Sequence, residues 1–256
     1  MTPGPLLFAR YAAPPNSLGY CGPADPAELT GAAAGWDLRG VTGLARQFEG
    51  AWPYLELIAG CNGIADPLDH RVVDAYWVGN RLLDRVGAAA LVSSLDERFR
   101  RRAGSGWEAL PEAARLGGAP HHSFHVFAVY PWLGMLRAGG SEAPLRVLDL
   151  CRIRWGRVVD VVGDTALVTS RGLAFDGHRL GSGAERTEVL RVAPAVALGP
   201  GRLSPGDAVS LHWDWVCDRL SDQALARLRR YTALNLAVAN SLRTPGPAAV
   251  LDRLGG

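Results

Sequence analysis

The sequence has no apolar run approaching the roughly 20 residues that a membrane-spanning helix requires. Its first twenty residues, MTPGPLLFARYAAPPNSLGY, show no basic stretch ahead of a long apolar one, so they do not read as a secretory signal. An excess of charge is also missing. Lys and Arg number 27 against 25 Asp and Glu, a net charge of +2, which gives no general case for nucleic acid or an anionic membrane surface as partner. There is no CxxC pair: Cys21, Cys61, Cys151 and Cys217 are far apart, as expected of reduced thiols rather than a disulfide framework. Internal repeats and low-complexity tracts are absent. These absences together lead us to expect a cytoplasmic protein.

What is present is ample core material. Hydrophobic residues make up 48% of 256 residues, enough for one large domain or two modest ones, and eight Trp supply large side chains with one polar handle each. The chain changes character near residue 145. Before it, the pattern is helical. ADPAEL offers Asp25, Pro26 and Glu28 as a helix start, and ADPLDHRVVDAYWVGNRLLDRV repeats the device with Asp66, Pro67 and Asp69. Val72, Val73, Tyr76 and Leu83 then fall on one broad face at helical spacing. LVSSLDERFRRR reads as a further helix closing in the loop AGSG. HHSFHVFAVYPWLGMLRAG reads as a buried helix that Pro131 kinks or breaks. AGGSEAP, residues 138–144, is the linker candidate.

After it the pattern is β. GRVVDVV and TALVTS flank Gly163-Asp164, a short hairpin signal, and EVLRVAPAV continues the strand pattern. LSPGDAVSLHWDWV reads as a turn and then one strand, with Val209, Leu211, Trp213 and Trp215 alternating with Ala208, Ser210, His212 and Asp214. SDQALARLRRYTALNLAVANSL is a terminal helix opened by Ser221 and stopped before Pro245. The expected fold is therefore α+β: a helical domain over residues 1–144, then, over 145–256, a small OB-like β-barrel beginning near residue 146 and a C-terminal helix over about 221–242.

Within the second half, Cys151, Gly156, RVVDVV, Gly163-Asp164 and ALVTS are followed by PGDAVSLHWDWVCDRLSDQALARLRR. In order and spacing these motifs resemble the HypC family of nickel–iron hydrogenase maturation chaperones, over about residues 151–240, a third of the chain. The family's functional pair is a cysteine at the start of the first strand and a histidine on a later one. The resemblance therefore implies metal-ligand roles for Cys151 and His212. It further implies iron carrying CO and cyanide as a transiently bound group, with the hydrogenase large-subunit precursor and other maturation proteins as partners. An accessory protein is then expected rather than an enzyme. Shared ligation would bring the Cys151 sulfur and a His212 nitrogen within about 3–5 Å.

The departures are equally specific. The family's cysteine becomes N-terminal, whereas Cys151 is internal. Trp155 stands where the family has proline, Trp213, Asp214 and Trp215 follow the histidine, and RGLAFDGHRLGSGAERTE, residues 171–188, reads as an insertion between strands. Residues 1–144 have no counterpart in the family. Arg152 and Arg154 would lower the Cys151 pKa if they pointed inward.

The helical half carries its own candidates. His121, His122 and His125 lie close together in HHSFH, and His121 and His125 at i, i+4 have metal-ligand spacing. An ordinary capping and packing role competes with that. Cys21 and Cys61 occur in Gly-flanked stretches read as loops, where a thiol is more accessible than in a core. Two other functions stay open. One is an enzyme with an active site between the two domains, using Cys151 or Cys21 as nucleophile and a histidine as base. The other is an interaction module without metal chemistry. Trp213 and Trp215 are expected either to roof Cys151 or to bury against the helical half.

Overall fold

A computed structural model of the protein describes residues 2–103, 109–139, 142–197 and 202–242, with the side chains of residues 99–103 left out. The helical half runs α1 (Gly4–Ser17), α2 (Ala27–Ala33), α3 (Val41–Ala45), α4 (Trp52–Cys61), α5 (His70–Trp77), α6 (Ala88–Ala103) and α7 (Ala109–Arg115). It continues through α8 (His122–Phe124), a π-helical turn (His125–Val129), α9 (Trp132–Arg137) and α10 (Glu142–Cys151). Strands β1 (Arg154–Val162), β2 (Thr165–Phe175) and β3 (Leu180–Val192) follow. Then come α11 (Pro194–Ala197), β4 (Ala208–His212), β5 (Trp215–Arg219) and the terminal α12 (Asp222–Ser241). The loop expected at AGSG, part of the linker at 138–144 and the stop before Pro245 lie outside the described residues.

The five strands form one sheet that closes on itself in the order β1-β2-β3-β5-β4. All pairings are antiparallel except β3 with β5, which is parallel and short. The β1–β2 hairpin turns on Gly163-Asp164, with Val162 opposite Thr165 and Gly163 at φ +62°, a conformation glycine reaches without a Cβ clash. β1 and β4 are neighbours, with Arg154 opposite Leu211.

Four sequence expectations need correction. The β region starts at Arg154, because Glu142–Cys151 is a helix, α10, with apolar Leu148 on its buried side; Cys151 ends that helix rather than opening a strand. Residues 171–188 are no insertion: they extend β2 and β3 into a long two-stranded arm that turns at 176–179. AVSLHWDWV is two strands, because the chain reverses at Trp213-Asp214 and brings His212 opposite Trp215. The helix expected from Asp66 starts one turn later. Asp66 accepts the Leu68 N–H within a turn, Asp69 becomes the N-cap by accepting the Arg71 N–H, and α5 stops at Trp77 before Gly79 at φ +97°. Pro131 does interrupt its helix: Tyr130 adopts the extended conformation that precedes proline, and α9 begins after it.

One apolar core runs through both halves. Phe8, Tyr54, Leu55, Ile58, Val72 and Val73 of the helices belong to the same packed cluster as Val168, Val209, Leu211 and Val216 inside the ring. Helix α1 is the axis of this arrangement. LLFARYAAPP is buried on nearly every side, as a helix enclosed by protein requires, and even Arg10 is buried against Asp218 of β5 at 3.2 Å. Consequently every residue of β4 is buried: one face lines the ring and the other meets α1. This is why Ser210 and His212, which alternation alone would place in solvent, are dry. A smaller cluster of Val126, Phe127, Leu133, Leu136, Leu148 and Leu180 joins α9 and α10 to the long β arm.

All 27 basic residues are arginine, and the buried ones use the guanidinium fork. Arg154 is fully buried, paired with Glu188 and donating to the Trp213 carbonyl at 2.6 Å. Arg152 bonds Asp149 at 3.0 Å and the Arg171 carbonyl at 2.9 Å, while Arg186 reaches Asp149 at 2.7 Å. No helix among the described residues is long and apolar enough to cross a membrane.

Candidate metal centre

Three elements that are remote in sequence converge between the helical half and the ring. His122 stands at the start of α8, Cys151 at the last position of α10, and His212 at the last position of β4. Their donor atoms all lie within 4.8 Å of one another, and they are the one such group of three among the described residues. Both imidazoles are buried, their rings meeting edge to face at 5.2 Å between centroids. Trp77 forms the apolar wall, 4.7 Å from the His122 ring and 5.7 Å from that of His212, and is itself stacked on Tyr11.

Hydrogen bonds fix the rings. His212 Nδ1 lies 2.6 Å from the Tyr11 carbonyl oxygen. A carbonyl only accepts, so Nδ1 carries the ring proton and Nε2 presents a lone pair. That Nε2 is buried with no hydrogen-bond partner. His122 Nε2 is 2.8 Å from the Cys151 carbonyl oxygen, and its Nδ1 is 3.0 Å from the Tyr76 hydroxyl. On the far side Trp213 holds φ +53°, a left-handed conformation rare for a bulky residue. Its ring stacks on Tyr20 at 4.1 Å, and its indole N–H, which makes no regular hydrogen bond, lies near enough to Cys151 to favour the thiolate slightly. Trp213 thus both roofs Cys151 and buries against the helical half.

The pocket is electrically neutral. Burial lowers the His122 pKa to about 4, partly opposed by the bond to the Cys151 carbonyl. Burial, and then the proximity of His122, puts His212 well below the ordinary histidine value. Burial also raises the Cys151 thiol well above its usual range, followed by the nearby Cys21 thiol; the Trp213 indole acts in the opposite direction. Arg152 and Arg154 do point inward, yet they are committed to Asp149, Glu188 and the Trp213 carbonyl and do not activate the thiol. Two neutral imidazoles and a protonated thiol form a donor set that a divalent cation would convert, releasing the thiol proton on binding.

The remaining sequence candidates separate. His121 is not paired with His125 in a ligand set. It caps α8, its Nδ1 accepting the Ser123 N–H at 3.1 Å, and burial lowers its pKa to about 3. His125 faces the other way, edge-on to Tyr54 and Tyr130. Cys21 lies partly buried in the segment after α1, its carbonyl held by Asn16 at 2.8 Å, and burial raises its thiol to about 12. Cys61 is the last residue of α4, exposed and away from the centre; it is helical, not a loop residue. Tyr11, Tyr76 and Trp77 were missed from sequence. Tyr76 reads there as part of a helical stripe, and nothing local separates a core aromatic from one that holds a histidine.

The centre joins both halves of the chain, and one family model matches residues 1–245, spanning helices and ring alike. The chain belongs to DUF6390, a family of unknown function. No curated protein and no solved structure matches it. The matched region takes in the helical half and the ring together, and this chain's His122, Cys151 and His212 all lie within it.

Proposed function

We propose that the protein is a metallocentre assembly factor that holds a metal complex at Cys151, His212 and His122. The observation that carries the reading is the unpartnered, buried Nε2 of His212, aimed among donor atoms within 4.8 Å of one another. An orphaned buried nitrogen costs free energy of order 1–3 kcal/mol unless something occupies it. The donor set suits the role: thiolate and imidazole are ligands for iron, zinc and copper. Around a cation at ordinary bond lengths, sulfur and nitrogen ligands sit about 3.5 Å apart, so a small inward movement closes the site.

The cargo we favour is iron carrying CO and cyanide, destined for a hydrogenase large-subunit precursor and received from other maturation proteins. Support comes from the resemblance of residues 151–240 to the HypC family and from the form of the ring. Five strands closed with a parallel β3–β5 contact, followed by a helix, fit an OB-like module. Three protein ligands leave open positions for diatomic ligands. In this reading the helical half supplies His122 and Trp77 and closes over the cargo, so that the client docks against both halves.

The enzyme alternative is less well supported. A thiol kept protonated by burial is a poor nucleophile, and the nearby Arg152 and Arg154 are committed to other partners. The test is anaerobic purification of the protein co-produced with its maturation partners, followed by infrared spectroscopy. Bands of CO and cyanide bound to iron, lost in Cys151→Ala and retained in Cys217→Ala, are the expected result. An iron-free wild-type protein, together with full client maturation by the Cys151→Ala, His212→Ala double variant, would leave an interaction module as the surviving reading.

A further inference from the structure

The two histidines of the centre are held differently, and the difference has a consequence for metal capture. The tautomer of His212 is fixed, since Nδ1 faces a backbone carbonyl at 2.6 Å and its Nε2 is always the free donor. His122 is held the other way round, with Nε2 rather than Nδ1 facing a backbone carbonyl. With Nε2 2.8 Å from the Cys151 carbonyl, the metal-free neutral ring places its proton on Nε2 and accepts the Tyr76 O–H at Nδ1. In that state neither nitrogen offers a free lone pair.

The Tyr76 oxygen, however, has a second acceptor. It lies 3.0 Å from the Gly50 carbonyl oxygen as well as 3.0 Å from His122 Nδ1, and one hydroxyl hydrogen serves only one of them. Turning that hydrogen to Gly50 leaves the Tyr76 oxygen to accept from an Nδ1–H. The His122 lone pair then moves to Nε2, beside the Cys151 carbonyl. Two lone pairs at that distance repel, so this second arrangement is disfavoured until a cation draws the His122 ring away from the Cys151 carbonyl, which at 2.8 Å stands where a metal bond of about 2.0 Å would form. Gly50 is positioned for the part. A Cβ there would come within 2.7 Å of His125 Nε2, so a larger residue would crowd that ring and tend to shift the backbone that carries the carbonyl.

We propose that His122 is a switched third ligand and that Tyr76, through the Gly50 carbonyl, is the positioning residue that selects its metal-binding tautomer. The inference rests on the metal reading above. Metal arrives first at His212, whose Nε2 lone pair is free, and at Cys151, whose thiol gives up its proton on binding. His122 then exchanges its Nε2 proton for one on Nδ1, by way of solvent, with no change in ring charge, and joins as the third donor. Reversal of the same step lets His122 go first, leaving a two-ligand complex that a client can remove. Partners that fix the protonated nitrogen of a metal-bound histidine typically govern 10–100-fold in affinity.

The experiment uses Zn(II) alone as probe on the full chain. Competition titration of wild type and Tyr76→Phe is expected to show a 10–100-fold weaker affinity in the variant, with its thermal midpoint recorded to establish folding. Nitrogen-15 NMR of the wild-type protein is expected to show His122 protonated at Nε2 without metal and at Nδ1 with Zn(II), while His212 stays protonated at Nδ1 throughout. Equal affinity in Tyr76→Phe, or a His122 that keeps its Nε2 proton at zinc saturation, overturns the switch and leaves the Cys151–His212 site intact. A wild-type protein that binds no Zn(II) overturns the metal reading, and the switch with it.

Discussion

His212 Nδ1 donates to the backbone oxygen of Tyr11 across 201 positions of sequence, tying the last residue of β4 to the middle of α1. The bond is reinforced one pair earlier, where the Tyr11 hydroxyl meets Ser210 Oγ at 2.7 Å, and later by Arg10 with Asp218. Residues 10 and 11 therefore bind both strands of the β4–β5 hairpin, and the cluster of His122, Cys151 and His212 lies beside that seam.

The two halves should consequently unfold together. We expect a single transition in urea, coincident by fluorescence and circular dichroism, because one apolar cluster spans helices and ring. A fragment of residues 145–256 would expose the buried faces of β4, Trp213 and Trp215 and should aggregate. Two separated transitions, or a soluble monomeric fragment, would show that the seam is not part of the folding unit.

Acid should destabilise the metal-free protein early. His121, His122, His125 and His212 are all buried with lowered pKa values, about 3 for His121 and about 4 for His122. Groups depressed in the folded state favour folding above the unfolded value of about 6.5, and that contribution is lost as pH falls below it. Each uncharged histidine forfeits at most about 2 kcal/mol by pH 5. Four together rival the whole stability of an ordinary domain, so the urea midpoint should drop steeply between pH 6.5 and 5. A flat profile over that interval would mean that the rings accept protons in place.

Arg154 and Glu188 make a separable prediction. The guanidinium is fully buried and the carboxylate only partly so; burial raises the Glu188 pKa, but Arg154 and the Ser170 hydroxyl outweigh it and hold the carboxyl below the ordinary glutamate value. Arg154→Met leaves the carboxylate facing only Ser170 and the half-exposed Arg186, and should cost about 3–5 kcal/mol. The double variant Arg154→Met, Glu188→Met should recover much of that in equilibrium denaturation. A single variant costing under about 1 kcal/mol would place the pair among ordinary surface bridges.

The parts of this molecule that sequence discloses are those whose causes are local. The Gly163-Asp164 hairpin, the Ser221 cap of α12, whose Oγ accepts the Ala224 N–H at 3.2 Å, and the break at Pro131 each follow from a few adjacent residues. The reversal at Trp213-Asp214 was hidden because alternation continues through it and because tryptophan is a poor turn residue. Likewise α10 was hidden by a Gly/Ser-rich preface that reads as linker. At the centre, Cys151 and His212 were legible only through resemblance, and His122 only as one of three neighbouring histidines. Selecting it needs the Tyr76 and Cys151 contacts, which are set by packing between α5, α8 and α10 and leave no trace in local pattern.

Trp213 offers the sharpest test of the roof over Cys151. A left-handed conformation costs a bulky residue about 1–2 kcal/mol relative to glycine, so Trp213→Gly relieves strain in the turn. The same change removes a ring that is 5% exposed and stacked on Tyr20 at 4.1 Å, a loss of about 3–5 kcal/mol. The second effect is larger, and the variant should be destabilised by about 2–3 kcal/mol in urea. Trp213→Asn, which also tolerates the left-handed region, should behave alike. In both, Cys151 loses its indole neighbour and gains access to solvent. Labelling by a thiol reagent, read by peptide mapping so that exposed Cys61 does not confuse the count, should speed up at Cys151 and stay unchanged at buried Cys217. If Trp213→Gly instead raises stability and leaves Cys151 labelling as slow as in wild type, the strained residue is not a lid, and the thiol is sheltered by the helices alone.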